Sequence, residues 1–279
     1  MEEELQVQER EPALSFFLHL IIRPGRAFVA LAERGTRGWL LVALFVLIFT
    51  ITPIIVAAPI TRQQIIENMQ KMQVQMEQPP GGSSEGPAQP LPADVTQVVA
   101  NPLFTVVIPA ITVLVGTLVG WFIWAGVLHL LAVFMGGRSA FKTLFAAVVS
   151  ASLPVGLRGF FQTVYIVTTH RLITNPGLSG LVPIGPPEQL SQPTGPGGLP
   201  NVGAVPLGRL LLHQFLAKVD LFLIWRLFLL GLAVWAVTRL SKRRAYALVV
   251  VVWLLFTLLS LLPMLISYSM FQGIAGMGG

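Results

Sequence analysis

Ionisable side chains set in long apolar stretches are costly in lipid and mark ion paths, ligand sites or charge pairs. Arg158, Asp220 and Arg226 form such a candidate intramembrane polar cluster. Depths follow from about 1.5 Å per helical residue. On that scale Arg158 lies about 24 Å from Lys142, while Asp220 and Arg226 lie about 28 Å and about 20 Å from Arg239. Two chemistries are open to the cluster. One is a polar pathway or ligand site around Asp220. The other is an Arg–Asp pair that neutralises buried charge and fixes helix packing, the commoner use of a single acid among arginines. Arg158 is the better partner, because Arg226 sits on a face of Asp220's own helix about 120° away. A proton-coupled transporter usually carries more than one intramembrane carboxylate, and Asp220 stands alone. His129, five residues before Phe134, is too far along its segment to join the three.

No catalytic constellation accompanies them. Gly136-Gly137 lacks the downstream Gly-Lys-Ser/Thr of a phosphate-binding loop, and neither Gly-x-Ser-x-Gly nor His-Glu-x-x-His occurs. His19, His129, His170 and His213 fall on different segments without metal-ligand spacing. The chain has no Cys, which removes disulfides, iron–sulfur clusters and thiol catalysis. The expectation is a protein with no catalytic, cofactor-binding or metal site, and not an enzyme.

The elements that must position these residues are long apolar helices. Of 279 residues, 54% are apolar and only 11% charged, about half the charged share of a soluble domain. Apolar runs place five spans at about Trp39–Ile60, Phe104–Phe134, Phe141–Thr168, Val219–Thr238 and Tyr246–Met270. Pro53 and Pro59 are expected to bend or end the first; Pro109, Pro154 and Pro263 are expected kinks in the second, third and fifth. Gly116 and Gly120 form a small-xxx-small element and are read as a helix-packing face. The segment before the first span is interrupted by Arg23-Pro24-Gly25 and reads as two short interfacial helices, Ala13–Ile22 and Arg26–Ala32. The predicted fold is all-α: an integral membrane five-helix bundle with an N-terminal interfacial amphipathic segment.

Orientation follows from basic residues. Arg10, Arg23, Arg26, Arg34, Arg37, Arg138, Lys142, Arg239, Lys242, Arg243 and Arg244 fall on the N-terminal side of the spans. Only Arg62, Lys71, Arg171, Arg209 and Lys218 fall on the other, over much longer loops. The positive-inside rule then puts the N-terminus in the cytoplasm and the C-terminus outside, in the plasma membrane. The same bias accounts for the net charge of +6, so no nucleic-acid partner is expected. Met1 to Glu11 is acidic where a cleavable signal peptide would open with positive charge. The organisation expected is an acidic tail at 1–12, cytoplasmic interfacial helices at 13–38, a five-span domain at 39–270 and an external tail at 271–279. External loops are expected at 61–102 and 169–218. Within them, Gln63–Gln78 has helical spacing, whereas Pro79–Pro92 and Asn175–Pro206 are dense in Pro and Gly and read as flexible.

Several short elements carry a family resemblance. Ile22-Arg23-Pro24 precedes Phe28; Gly136-Gly137 precedes Phe141 and then Ala151-Ser152-Leu153-Pro154; Asp220-Leu221-Phe222-Leu223-Ile224-Trp225 leads into Gly231. With five spans, this pattern resembles the prokaryotic branch of the Yip-domain family, the Ypt/Rab-interacting membrane proteins, from Leu14 to Met270. The resemblance implies a five-span bundle with a cytoplasmic N-terminus, and a role in membrane organisation and protein recruitment. The Asp-Leu-Tyr-Gly-Pro element of eukaryotic members is missing and the N-terminal region is short, so GTPase binding is not carried over. The function expected is a non-enzymatic scaffold or adaptor. Its partners would be the lipid bilayer and an unidentified membrane or cytoplasmic protein, with self-association left open. The alternative is a small transporter, channel or lipid-translocating protein built on the Arg158, Asp220 and Arg226 cluster.

Overall fold

A computed structural model describes residues 13–77, 101–182 and 206–266. The N-terminal tail, Pro79–Pro92 and the C-terminal tail lie outside the described residues. Among the described residues every regular element is helical: α1 (Ala13–Ile22), α2 (Pro24–Arg34), α3 (Trp39–Glu77), a π-turn (Leu103–Val107) running into α4 (Ile108–Phe134), α5 (Phe141–Ser150), α6 (Leu153–Thr169), a 3₁₀ turn (Ser179–Leu181), α7 (Leu207–Ala217), α8 (Leu221–Thr238) and α9 (Lys242–Leu259). Five stretches are long and apolar enough to cross a membrane: Trp39–Gln70, Leu103–Phe134, Phe141–Thr169, Leu221–Thr238 and Lys242–Ile266. The chain is an all-α membrane helical bundle. Its residues group into two compact units, one of 1–50, 114–160 and 222–254, the other of 51–113, 161–221 and 255–279.

In the first unit, α1 buries Phe16 and Leu20, four residues apart on one face, and leaves Leu14, Leu18, Ile21 and Ile22 exposed. Arg23 breaks the helix before Pro24, whose missing N–H costs nothing at a helix start. α2 then buries Ala27, Phe28 and Leu31, and Gly35 ends it in the left-handed conformation, donating its N–H to Leu31. α5 is the centre of this unit: Leu144 and every residue from Ala146 to Ser150 are buried. The Phe17 ring meets Phe45 edge-on, and Phe49 meets Phe160 the same way, with centroids 5.4 and 5.3 Å apart.

The prolines act differently at different places. Pro109, Pro154 and Pro263 each occupy the second residue of a helical segment, after the π-turn at Leu103–Val107, a turn at 151–152 and a turn at 260–261. Pro53 and Pro59 do not end α3, which runs on to Glu77, beyond the boundary at Ile60 that the sequence suggests. The helix continues because the chain past Ile60 keeps helical spacing. Pro53 leaves the carbonyl of Phe49 without its usual helical N–H. A Cβ on Gly159 would fall 1.8 Å from the Phe49 oxygen, so α6 lies directly against α3 there. Gly156, one turn earlier, does the same against the Phe45 ring and the Val46 backbone.

The second unit corrects one expectation. Asn175–Pro206 reads as a flexible stretch, yet residues 176–182 are fastened to α7. Leu178 N–H donates to the carbonyls of Leu216 and Val219, 3.0 Å from each. Gly177 makes this possible: its φ is +60°, and a Cβ would lie 2.7–2.9 Å from three carbonyl oxygens. His213, on α7, holds its Nδ1 2.9 Å from the Val182 carbonyl, which requires that nitrogen to carry the proton. Lys218 donates to the Ser260 hydroxyl, and Arg62 Nε donates to Thr105 at 2.9 Å. Composition hid these contacts because each uses a backbone carbonyl or a lone polar side chain. The remainder of that stretch, 183–205, lies outside the described residues.

Candidate functional site

The sequence-derived candidates divide between the two units. Arg158 and Arg226 belong to the first and Asp220 to the second. Neither Arg158 nor Asp220 lacks an interaction partner. Arg226, on α8, stacks its guanidinium 5.4 Å from the centre of the Trp124 ring on α4. Its Nε is buried and takes no hydrogen bond. His129 holds its Nδ1 3.3 Å from the Ser139 hydroxyl and meets the Phe141 ring edge-on, a helix-end contact. Among the described residues, no three His, Asp or Glu side chains come close enough together to hold a metal ion.

The helix-packing face read at Gly116 and Gly120 is open within the single chain. Nothing lies within 4 Å of where a Cβ on either would sit, whereas Gly156 and Gly159 carry the tight contact. The sequence reading also misses a buried polar contact: the Trp121 indole N–H on α4 donates to the Ser152 hydroxyl at 3.0 Å. Ser152 in turn donates to the Val148 carbonyl, and Ser150 donates to Ala146. These hydroxyls satisfy themselves on the turn between α5 and α6, which is what lets that turn be buried. The signal was the Ser-x-Ser pair just before Pro154.

The residues that converge most clearly are the basic ones used above for orientation. The α1–α2 hairpin, the 135–140 turn joining α4 to α5 and the 239–241 turn joining α8 to α9 all belong to the first unit. α2 packs against α5, and Arg138 N–H donates to the Thr238 carbonyl at 3.0 Å, tying the two turns together. Two open clefts result. One, about 650 Å³, has Arg138, Arg239, Ser139 and Thr143 in its walls. The other, about 620 Å³, has Arg23, Arg26, Arg34, Lys242 and Trp235. Val29 and Glu33 line both, so they share a wall made by one face of α2. The Lys242 ammonium is held 4.7 Å above the Trp235 ring. Glu33 is the one acid lining either cleft among the described residues.

Fold and site together define a polytopic helical membrane protein with a basic face at the ends of its spans. The Yip1 domain model matches residues 18–264, nearly the whole chain, and the protein belongs to that family. No curated protein and no solved structure gives a significant match.

Proposed function

We propose that the protein is a non-enzymatic scaffold or adaptor in membrane organisation or protein recruitment. In this reading it resides in the plasma membrane, with the α1–α2 face and N-terminus in the cytoplasm and the C-terminus outside. The observation that supports it is the basic face itself. A hairpin too short to span and two tight turns together present exposed Arg23, Arg26, Arg34, Arg138 and Arg239 beside two clefts. Such a face suits a docking platform better than a reaction centre, because it holds cations and one acid but no nucleophile–base pair. Membership of the Yip1 family supports the same reading. The transport reading rests on one observation, the buried Arg226 Nε without a hydrogen bond.

Photocrosslinking in native membranes tests the adaptor reading. A photoreactive residue at Arg26 or Arg34, both exposed on α2, should give discrete protein adducts. The same residue at Val119, exposed on α4, should give lipid adducts only. An adduct at twice the 30.3 kDa chain mass would identify a second copy as the partner. Lipid adducts alone at all three positions would contradict recruitment through this face.

A further inference from the structure

We infer that the paired clefts beside α2 are a binding site for the headgroup of an anionic phospholipid. Six cationic side chains, Arg23, Arg26, Arg34, Arg138, Arg239 and Lys242, line the two clefts against the single acid Glu33. Crowding like charges is unfavourable unless an anion shares the space, and Arg forks suit phosphate oxygens in particular. The Ser139 and Thr143 hydroxyls add neutral donors to the first cleft. At about 650 and 620 Å³, each cleft falls within the range of small-molecule sites.

A phosphate could arrive free in water or carried on a lipid, and the surroundings favour the lipid. The clefts lie beside the ends of candidate spans: Phe134, Phe141, Thr238 and Lys242 are span termini, and the cleft residues Arg138 and Arg239 lie just beyond them. The headgroup layer of a bilayer occupies that level. Trp235 lies in the cleft wall beneath Lys242, the arrangement of an interfacial aromatic with a basic neighbour. α1 shares the second cleft through His19 and presents Leu14, Leu18, Ile21 and Ile22 outward, 41–70% exposed. An acyl chain lying along that face would cover it while its phosphate sits among the arginines. Within this site Glu33 opposes the ligand, and its removal should tighten binding. A purely structural contribution of these side chains would not produce that sign. The inference stands on the clefts and does not need the adaptor reading.

The test uses the full chain, purified in a neutral detergent and stripped of lipid. Binding of phosphatidylglycerol, phosphatidylcholine and inorganic phosphate is followed by native mass spectrometry and by the shift in unfolding temperature. Phosphatidylglycerol is expected to bind at least about tenfold more tightly than phosphatidylcholine, with the preference falling as salt rises. Arg138→Gln with Arg239→Gln, or Arg23→Gln with Arg26→Gln, should remove most of that preference. Arg243→Gln with Arg244→Gln, equal in charge but outside the clefts, should keep it, and Glu33→Gln should increase it. Equal losses from the cleft and control pairs would overturn the site in favour of general charge attraction. Inorganic phosphate binding as tightly as the lipid would overturn the lipid as the source. If a cleft pair fails to fold, the wild-type comparison and Glu33→Gln still decide: no phosphatidylglycerol preference, or a weaker one in Glu33→Gln, overturns the inference.

Discussion

Gly159→Ala is expected to destabilise the bundle by about 3 kcal/mol or more, the upper range for overpacking a tight contact. The new methyl carbon would fall 1.8 Å from the Phe49 carbonyl oxygen, and that atom belongs to helix backbone, not to a side chain that could rotate away. Relief requires α3 and α6 to separate, which also parts the Phe49 and Phe160 rings. In detergent the variant should unfold at a clearly lower temperature and elute less uniformly on size exclusion. Gly116→Ala is the matched control. It lies on an apolar helix with nothing within 4 Å of the added carbon, so the change should be neutral or raise stability by the helix propensity of Ala over Gly. Equal losses in the two variants would contradict the assignment of the close contact to Gly159.

The second large effect is expected at Trp121. Trp121→Ala removes a ring that is 4% exposed and should cost about 3–5 kcal/mol, as large-to-small core changes do. Ser152→Ala keeps the ring but strands its buried N–H, costing about 1–3 kcal/mol. Trp121→Phe combined with Ser152→Ala removes donor and acceptor together. That double variant should recover much of the Ser152→Ala loss, because no polar atom is then left without its partner. Strictly additive losses would show that the hydrogen bond contributes nothing to stability.

Much of this architecture is legible in the sequence. Helix breaks at Arg23-Pro24 and Pro154, the Gly136-Gly137 turn and the five apolar runs all follow from local rules that lipid enforces strongly: spans must be long, apolar and internally hydrogen-bonded. What escapes is set by contacts between distant segments. The close approach at Phe49, whose carbonyl Pro53 leaves without its helical N–H, depends on Gly159, about 100 residues away in the chain. The docking of 176–182 on α7 depends on backbone carbonyls that no composition rule sees. The small-xxx-small pattern names one face that could pack, whereas the close approach at Gly156 and Gly159 carries no such spacing and goes unread. The basic residues are legible as an orientation signal, and only the fold shows that those on three separate connections surround two clefts. The Arg158, Asp220 and Arg226 cluster remains a proposal from helical depth.

Single-cysteine labelling tests the proposed cytoplasmic placement of the basic face most directly. The natural sequence holds no Cys, so each introduced thiol is the only one. In sealed cells an impermeant maleimide should label cysteines placed at Ser83 and Ser191 and leave one at Ser241 unlabelled until the membrane is opened. Ser241 lies in the short turn between α8 and α9, beside Arg239 and Lys242. Labelling of Ser241 in intact cells, or protection of Ser83 and Ser191, would contradict the account.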